Sequence, residues 1–248
     1  MTTLRIVRGE IRKITTTKLP WGFLAVLVLI AGLNAAIVAF GTDADGSKSF
    51  VATAADQQSL MAFAFNAMLG TALFGAIAAA REYGHGTVVP TFLTCPRRVR
   101  AVLSQLAAVL LAGAALALVG QALMIAAVSV ALRSPSYGFL LSAGAVTQLL
   151  AASALAGAVG AVLGAGLGVV IRNVGGAVTT AILVLFVIPP LTVQLVGGAA
   201  SWIPTTLFAV ISGVGTGAAL WAALLAVIAW ALVPAAAGLV AVQRRDVV

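Results

Sequence analysis

The stretch WGFLAVLVLIAGLNAAIVAF, residues 21–40, decides the fold class: it carries no charge and only one amide, Asn34. A helix needs roughly 20 apolar residues to cross about 30 Å of hydrocarbon, and this run is long enough. A cleaved leader would have a shorter apolar core and a small-residue cleavage site, so the run reads as a retained span. The rest of the 248-residue chain has the same character, with 62% hydrophobic residues, 8% charged and a mean hydropathy of +1.16. Soluble domains carry about a quarter charged residues. Fourteen basic and six acidic residues are too few to solvate a globule of this length. Disorder requires low hydrophobicity and is excluded by the same composition. The expected fold class is therefore all-α, a polytopic membrane protein.

Outward from residues 21–40, five further apolar runs follow. Leu60 to Ala80 is stopped by Arg81 and Glu82, and is preceded by a polar connection, Gly41 to Ser59, with Asp43, Asp45, Lys48 and Asp56. Residues 101–132 and 139–171 hold about 32 residues each, roughly 48 Å as continuous helix, and so tilt or extend beyond the bilayer. Between them, residues 133–138 form a compact turn. Residues 177–196 and 217–242 complete a set of six. The uncharged segment 197–216, with Trp202, Pro204 and several glycines, reads with Pro189 and Pro190 as a broken helical hairpin dipping into the interface. Irregular backbone at that depth requires cover from protein or a watery cavity.

Charge bookkeeping orients the chain. With the amino terminus inside, Arg5, Arg8, Arg12, Lys13, Lys18, Arg81, Arg97, Arg98, Arg100, Arg172, Arg244 and Arg245 are cytoplasmic, and only Lys48 and Arg133 lie outside. Twelve against two is a strong positive-inside asymmetry and places both termini in the cytoplasm. The single Cys95 excludes an internal disulfide and any cysteine-rich metal site. Basic residues in short tracts beside apolar runs mark topology rather than nucleic-acid binding.

None of the six apolar cores contains Asp, Glu, Lys, Arg or His. Proton relays, ion pathways and charged selectivity rings are built from such residues, so the chain lacks the parts of an ion-driven carrier. The polar side chains within the cores, Asn34, Asn66, Gln121, Gln148 and Gln194, either line a pathway or make interhelical hydrogen bonds. Catalysis has no constellation either. His85 has Glu82 nearby in sequence but neither nucleophile nor metal ligands, and no phosphate-binding loop is present. Gly160, Gly164 and Gly168, at four-residue spacing, form a small face that lets another helix approach closely, with Ser153, Gly157 and Ala161 on a neighbouring stripe. Spacing leaves open whether the partner helix belongs to the same subunit.

Two amphipathic pieces lie outside the spans. Leu4, Val7, Ile11 and Ile14 share a helical face, and Arg5, Arg8, Arg12 and Lys13 occupy the remainder. Residues 1–19 thus read as an interfacial helix, with Lys18 at its end, before the chain turns in at Pro20 and Trp21. Between the second and third spans, Thr87 is placed to cap a short helix over residues 87–95, in which Pro90 is tolerated within the first turn. Its apolar residues are Val88, Val89, Phe92 and Leu93, and Pro96 ends it before Arg97 and Arg98. Such a helix buries its apolar side either on the membrane surface or in a soluble partner.

The order of these features resembles the type-2 ABC exporter permeases, especially the compact bacterial form. Residues 10–21 look like that family's basic interfacial helix running into span one. The motif Arg81-Glu82-Tyr83-Gly84-His85-Gly86-Thr87, followed by Pro96-Arg97-Arg98, looks like its signature after span two. The resemblance implies a membrane-spanning export subunit that pairs with a second copy or a related permease. Each would dock on a separate cytoplasmic ATPase that binds ATP and Mg, this chain itself binding no cofactor. It implies further that residues 87–93 seat in a cleft of the ATPase. Glu82 would tie this loop to the amino-terminal helix through Arg12 or Lys13. The implied substrate is amphiphilic or hydrophobic: a drug, a lipid or a peptide. Two other classes compete, a passive channel or ion-coupled carrier, and a structural or immunity-type membrane subunit.

Overall fold

The helix over residues 143–171 forms the centre of the molecule, because small residues on three of its faces let three neighbours approach at once. The computed structural model describes residues 3–43, 46–87, 97–133 and 138–244. In chain order the helices are α1 (Thr3–Thr15), α2 (Leu19–Phe40), α3 (Ala54–Met61), α4 (Ala64–Gly84), α5 (Arg98–Ala131), α6 (Ala143–Ile171), α7 (Val174–Leu195), α8 (Pro204–Ile211) and α9 (Leu220–Arg244). Short 3-10 turns occupy Ser49–Val51 and Gly197–Trp202. The described residues contain no strand. Six helical stretches are long and apolar enough to cross a membrane, so the chain is a multi-pass membrane protein.

Helix α6 packs on α4, α5 and α9. Gly160, Gly164 and Gly168 face α4 of the same chain: a methyl group at these positions would overlap the carbonyls of Met68, Ala72 and Ala76 respectively. The question left by the spacing is thereby answered, since the close contact is internal. The neighbouring stripe serves α5, where Gly157 meets Gly113 backbone to backbone and Ser153 reaches Gln121. A third face brings Gly166 against the Pro234 carbonyl of α9, inside which Pro234 sits. Without side chains between them, backbones approach closely and gain dispersion over long contacts, the main source of association between apolar helices in lipid. Helix α2 is different. It touches α5 and little else, and most of its residues face outward.

Several boundaries depart from the sequence reading. The second span does not begin at Leu60: Thr53 and Asp56 form a reciprocal capping box that starts α3 inside the stretch read as a polar connection. The chain leaves helical geometry at Ala62 (φ −70°, ψ 72°) before α4 begins at Ala64. No Gly or Pro marks that break. The fourth span begins at Ala143 rather than Phe139, because the Ser142 hydroxyl accepts from the Ala145 N–H. The fifth begins at Val174, capped by the Asn173 side chain accepting from the Gly176 N–H. The sixth begins at Leu220 and not at Gly217, whose φ of +124° is open to glycine and not to helix. Residues 133–138 were expected to form a compact turn, and 134–137 of these lie outside the described residues.

Pro189 and Pro190 act one turn upstream of themselves. Neither can donate to the carbonyl four residues back. The preceding segment, Leu183–Val187, widens into π geometry, with the Ile188 N–H reaching the Leu183 carbonyl five residues back. Beyond α7 the chain makes the 3-10 turn Gly197–Trp202 and helix α8, in place of continuous helix.

Candidate functional site

The end of the bundle that holds α1 gathers most of the charge. Helix α1 follows from the periodicity of its apolar residues, and the structure shows what they meet: Ile14 is buried, Ile11 packs on the core, and the helix lies against α5. Arg5, Arg8 and Arg12 occupy its exposed face. Glu10, by contrast, is 6% exposed, although nothing in the spacing distinguished it.

Glu10 is buried because Lys13 bridges it to α4. The Lys13 ammonium donates to the Glu10 carboxylate at 2.7 Å and to the Glu82 carboxylate at 3.3 Å. The resemblance implied a tie from Glu82 through Arg12 or Lys13, and Lys13 makes it. Burial opposes the ammonium charge, but the hydrogen bond to Glu10 and the two carboxylates together outweigh it and raise the Lys13 pKa.

Helix α4 carries this junction on into the following loop. The His85 ring nitrogen Nδ1 lies 2.9 Å from the Arg81 carbonyl, Gly86 takes a φ of +67°, and the Thr87 hydroxyl donates to the Glu82 carbonyl at 3.3 Å. Here Thr87 closes the α4 end. Tyr83 stacks under the Arg172 guanidinium, 5.2 Å from its ring centroid, which ties α4 to the far end of α6. Arg172 holds left-handed backbone (φ 58°), with its N–H on the Gly168 carbonyl. Val88, Val89, Phe92 and Leu93, the apolar residues of the expected 87–95 helix, lie outside the described residues. Arg97 and Arg98 stand at the start of α5. A polar pocket of about 460 Å³ opens at the junction, lined by Lys13, Thr16, Thr17, Arg81, Glu82 and His85 among others.

The amides expected within the spans are placed as follows. Gln121 is fully buried and satisfied at both ends, donating to the Met61 carbonyl at 2.8 Å and accepting from Ser153 at 2.7 Å. Gln148 donates to the Ile211 carbonyl at 3.0 Å. Asn34 donates to the Ile30 carbonyl one turn back in α2. Asn66 is exposed, lining an apolar pocket of about 210 Å³ between α2 and α4.

At the opposite end of the bundle two glutamines missed by sequence reasoning organise the connections. Gln57 is fully buried and makes three bonds: its Nε2 donates to the Val51 and Gly138 carbonyls, and its Oε1 accepts from the Leu140 N–H. Gln58 donates to the Ser212 carbonyl at 2.8 Å and, with Gln148, supplies donors to the buried carbonyl end of α8. Lys48 donates to the Val38 and Ala39 carbonyls, placing its charge at the negative end of α2. Among the described residues no group of three or more His, Cys, Asp or Glu side chains could hold a metal ion.

No family model matches the chain, and no curated protein matches it.

Proposed function

We propose that the chain is the membrane-spanning permease subunit of an ATP-driven exporter of the type-2 ABC class. It sits in a bacterial cytoplasmic membrane with both termini inside. It pairs with a second copy or a related permease and docks on a separate cytoplasmic ATPase. The Lys13 bridge carries this reading. It joins an amphipathic helix to the end of a spanning helix, a few residues before the apolar segment Val88, Val89, Phe92 and Leu93. A force applied to that segment would reach α4 directly and α1 through Lys13. From α4 it would spread to α6 through backbone contacts too tight to absorb it.

ATP binding by the partner would close its dimer and shift the permease pair from an inward-open to an outward-open state. The chain supplies docking, tie and pathway, and the partner supplies the energy. In this arrangement α1 lies on the cytoplasmic surface with Arg5, Arg8 and Arg12 toward lipid phosphates, and residues 197–216 dip into the outer interface. Apolar walls suit an amphiphilic or hydrophobic cargo such as a drug, lipid or peptide.

The test is coupled transport. Phe92→Ala combined with Leu93→Ala should leave insertion and permease pairing intact while ATP hydrolysis no longer drives substrate into inverted vesicles. Normal coupled transport by that variant would remove the docking argument, and equal transport without ATP would favour a passive carrier.

A further inference from the structure

Helix α2 leaves a groove along α4 that protein does not fill. Its mouth, of about 490 Å³, is lined by Thr17, Lys18 and Arg81, with Gly22, Phe23 and Val26 below them. Phe23 and Val26 also wall the deeper pocket, of about 210 Å³, which continues past Leu27 and Ile30 toward Phe63. From Lys18 to Ile30 the groove descends about 18 Å along α2. That is close to the depth of one leaflet, about half of a 30 Å hydrocarbon core.

Gly22 and Gly70 line this groove, one on each helix, and neither has a heavy atom within 4 Å of where a Cβ would stand. Gly164 and Gly113 are small because a backbone presses on them. Gly22 and Gly70 have no such neighbour within the chain, although glycine costs a helix about 1 kcal/mol relative to alanine. The groove is therefore open to its surroundings at both positions.

From these observations we infer that the α2–α4 groove is a binding site for one anionic phospholipid, its phosphate between Lys18 and Arg81 and an acyl chain lying over Gly22 and Gly70. Charge decides this occupant against a second copy of the chain. Of the six acidic residues, Asp43, Asp45 and Asp56 belong to the connection that follows α2, away from Lys18, and Asp246 directly follows Arg244 and Arg245 in sequence, whose charge exceeds its own. Glu10 and Glu82 are both bonded to Lys13, Glu82 facing the adjoining polar pocket beside Arg81. A second copy therefore has little to offer Lys18 and Arg81, whereas a lipid phosphate matches both. The inference needs only the membrane disposition of α2 and α4 and holds whatever the chain transports.

Native mass spectrometry of the detergent-purified full chain tests it, with phosphatidylglycerol, phosphatidylcholine and glycerol phosphate as probes. Phosphatidylglycerol should be retained in preference to phosphatidylcholine. Lys18→Gln with Arg81→Gln should weaken phosphatidylglycerol about 25-fold, about fivefold per charge, and leave phosphatidylcholine unchanged. Gly22→Leu with Gly70→Leu should abolish both lipid adducts without lowering the lipid-free melting temperature. Should the leucines disturb packing, the charge variant decides alone, since Lys18 is exposed and Arg81 half-buried. Phosphatidylglycerol retention unchanged in the charge variant would overturn the assignment. So would displacement of the lipid by glycerol phosphate at equal concentration, which would put the anion on the basic surface without the groove.

Discussion

Adding one methyl group at three glycines should produce three different outcomes, ordered by what each methyl meets. At Gly164 a Cβ would overlap the Ala72 carbonyl oxygen and stand 2.6 Å from its carbon and 2.9 Å from its Cα. All three atoms are backbone, so no rotamer can yield, and α4 and α6 must separate. At Gly168 the nearest atom is the Ala76 oxygen at 2.8 Å, and a shift of about 0.6 Å restores ordinary contact. At Gly32 in α2 nothing stands within 4 Å. Overpacking costs about 1–3 kcal/mol. Gly164→Ala belongs at the top of that range and Gly168→Ala near the bottom, while Gly32→Ala gains up to about 1 kcal/mol of helix propensity. Followed by circular dichroism in mild detergent, Gly164→Ala should melt about 6–12 °C below the parent, Gly168→Ala about 2–4 °C below, and Gly32→Ala at or above it. If Gly164→Ala and Gly32→Ala melt together, the α4–α6 contact is not the one described, and the transmission of motion from Glu82 to α6 loses its basis.

Three further perturbations probe other links. Gln57→Leu breaks all three hydrogen bonds of a buried side chain at once, orphaning the Val51 and Gly138 carbonyls and the Leu140 N–H. It should cost about 2–3 kcal/mol in the same melting assay, against about 1 kcal/mol for the cap variant Thr53→Ala. Gln121→Leu should cost about 1–2 kcal/mol, more than Ser153→Ala, because the first orphans both the Met61 carbonyl and the Ser153 hydroxyl and the second only the Gln121 Oε1. Lys13→Met leaves Glu10 and Glu82 close together without their shared cation. A double-mutant cycle with Glu82→Gln should show about 1 kcal/mol of coupling, modest because the lysine side chain is 41% exposed. Additive effects would mean that the bridge does not join α1 to α4.

What could be read in advance follows the physics that produces it. Spans were legible because lipid demands long uncharged helices, and residues 21–40 meet that demand alone. The glycine stripe was legible because a four-residue period can only mean one helical face, but its partner was not, since spacing carries no information about what lies opposite. Polar residues in connections were the least legible. Gln57 and Gln58 stand in an ordinary polar stretch, and their roles depend on Gly138, Leu140 and Ser212, more than 80 residues away. Glu10 was hidden for a related reason: its partner Lys13 is close in sequence, but the Glu82 carboxylate of α4 that shares this cation is about 70 residues away. The break at Ala62 has no local signal, and the helix before it, α3, packs on α5 and α6, which lie far from it in sequence.

Capture of the tagged chain from its native membranes is the experiment on which the proposed function most depends. If the chain is an export permease, an ATPase subunit co-purifies in equal amounts and is lost when Phe92 and Leu93 are changed to alanine, with the permease pair intact. Efficient capture of the intact pair with no ATPase would contradict that reading.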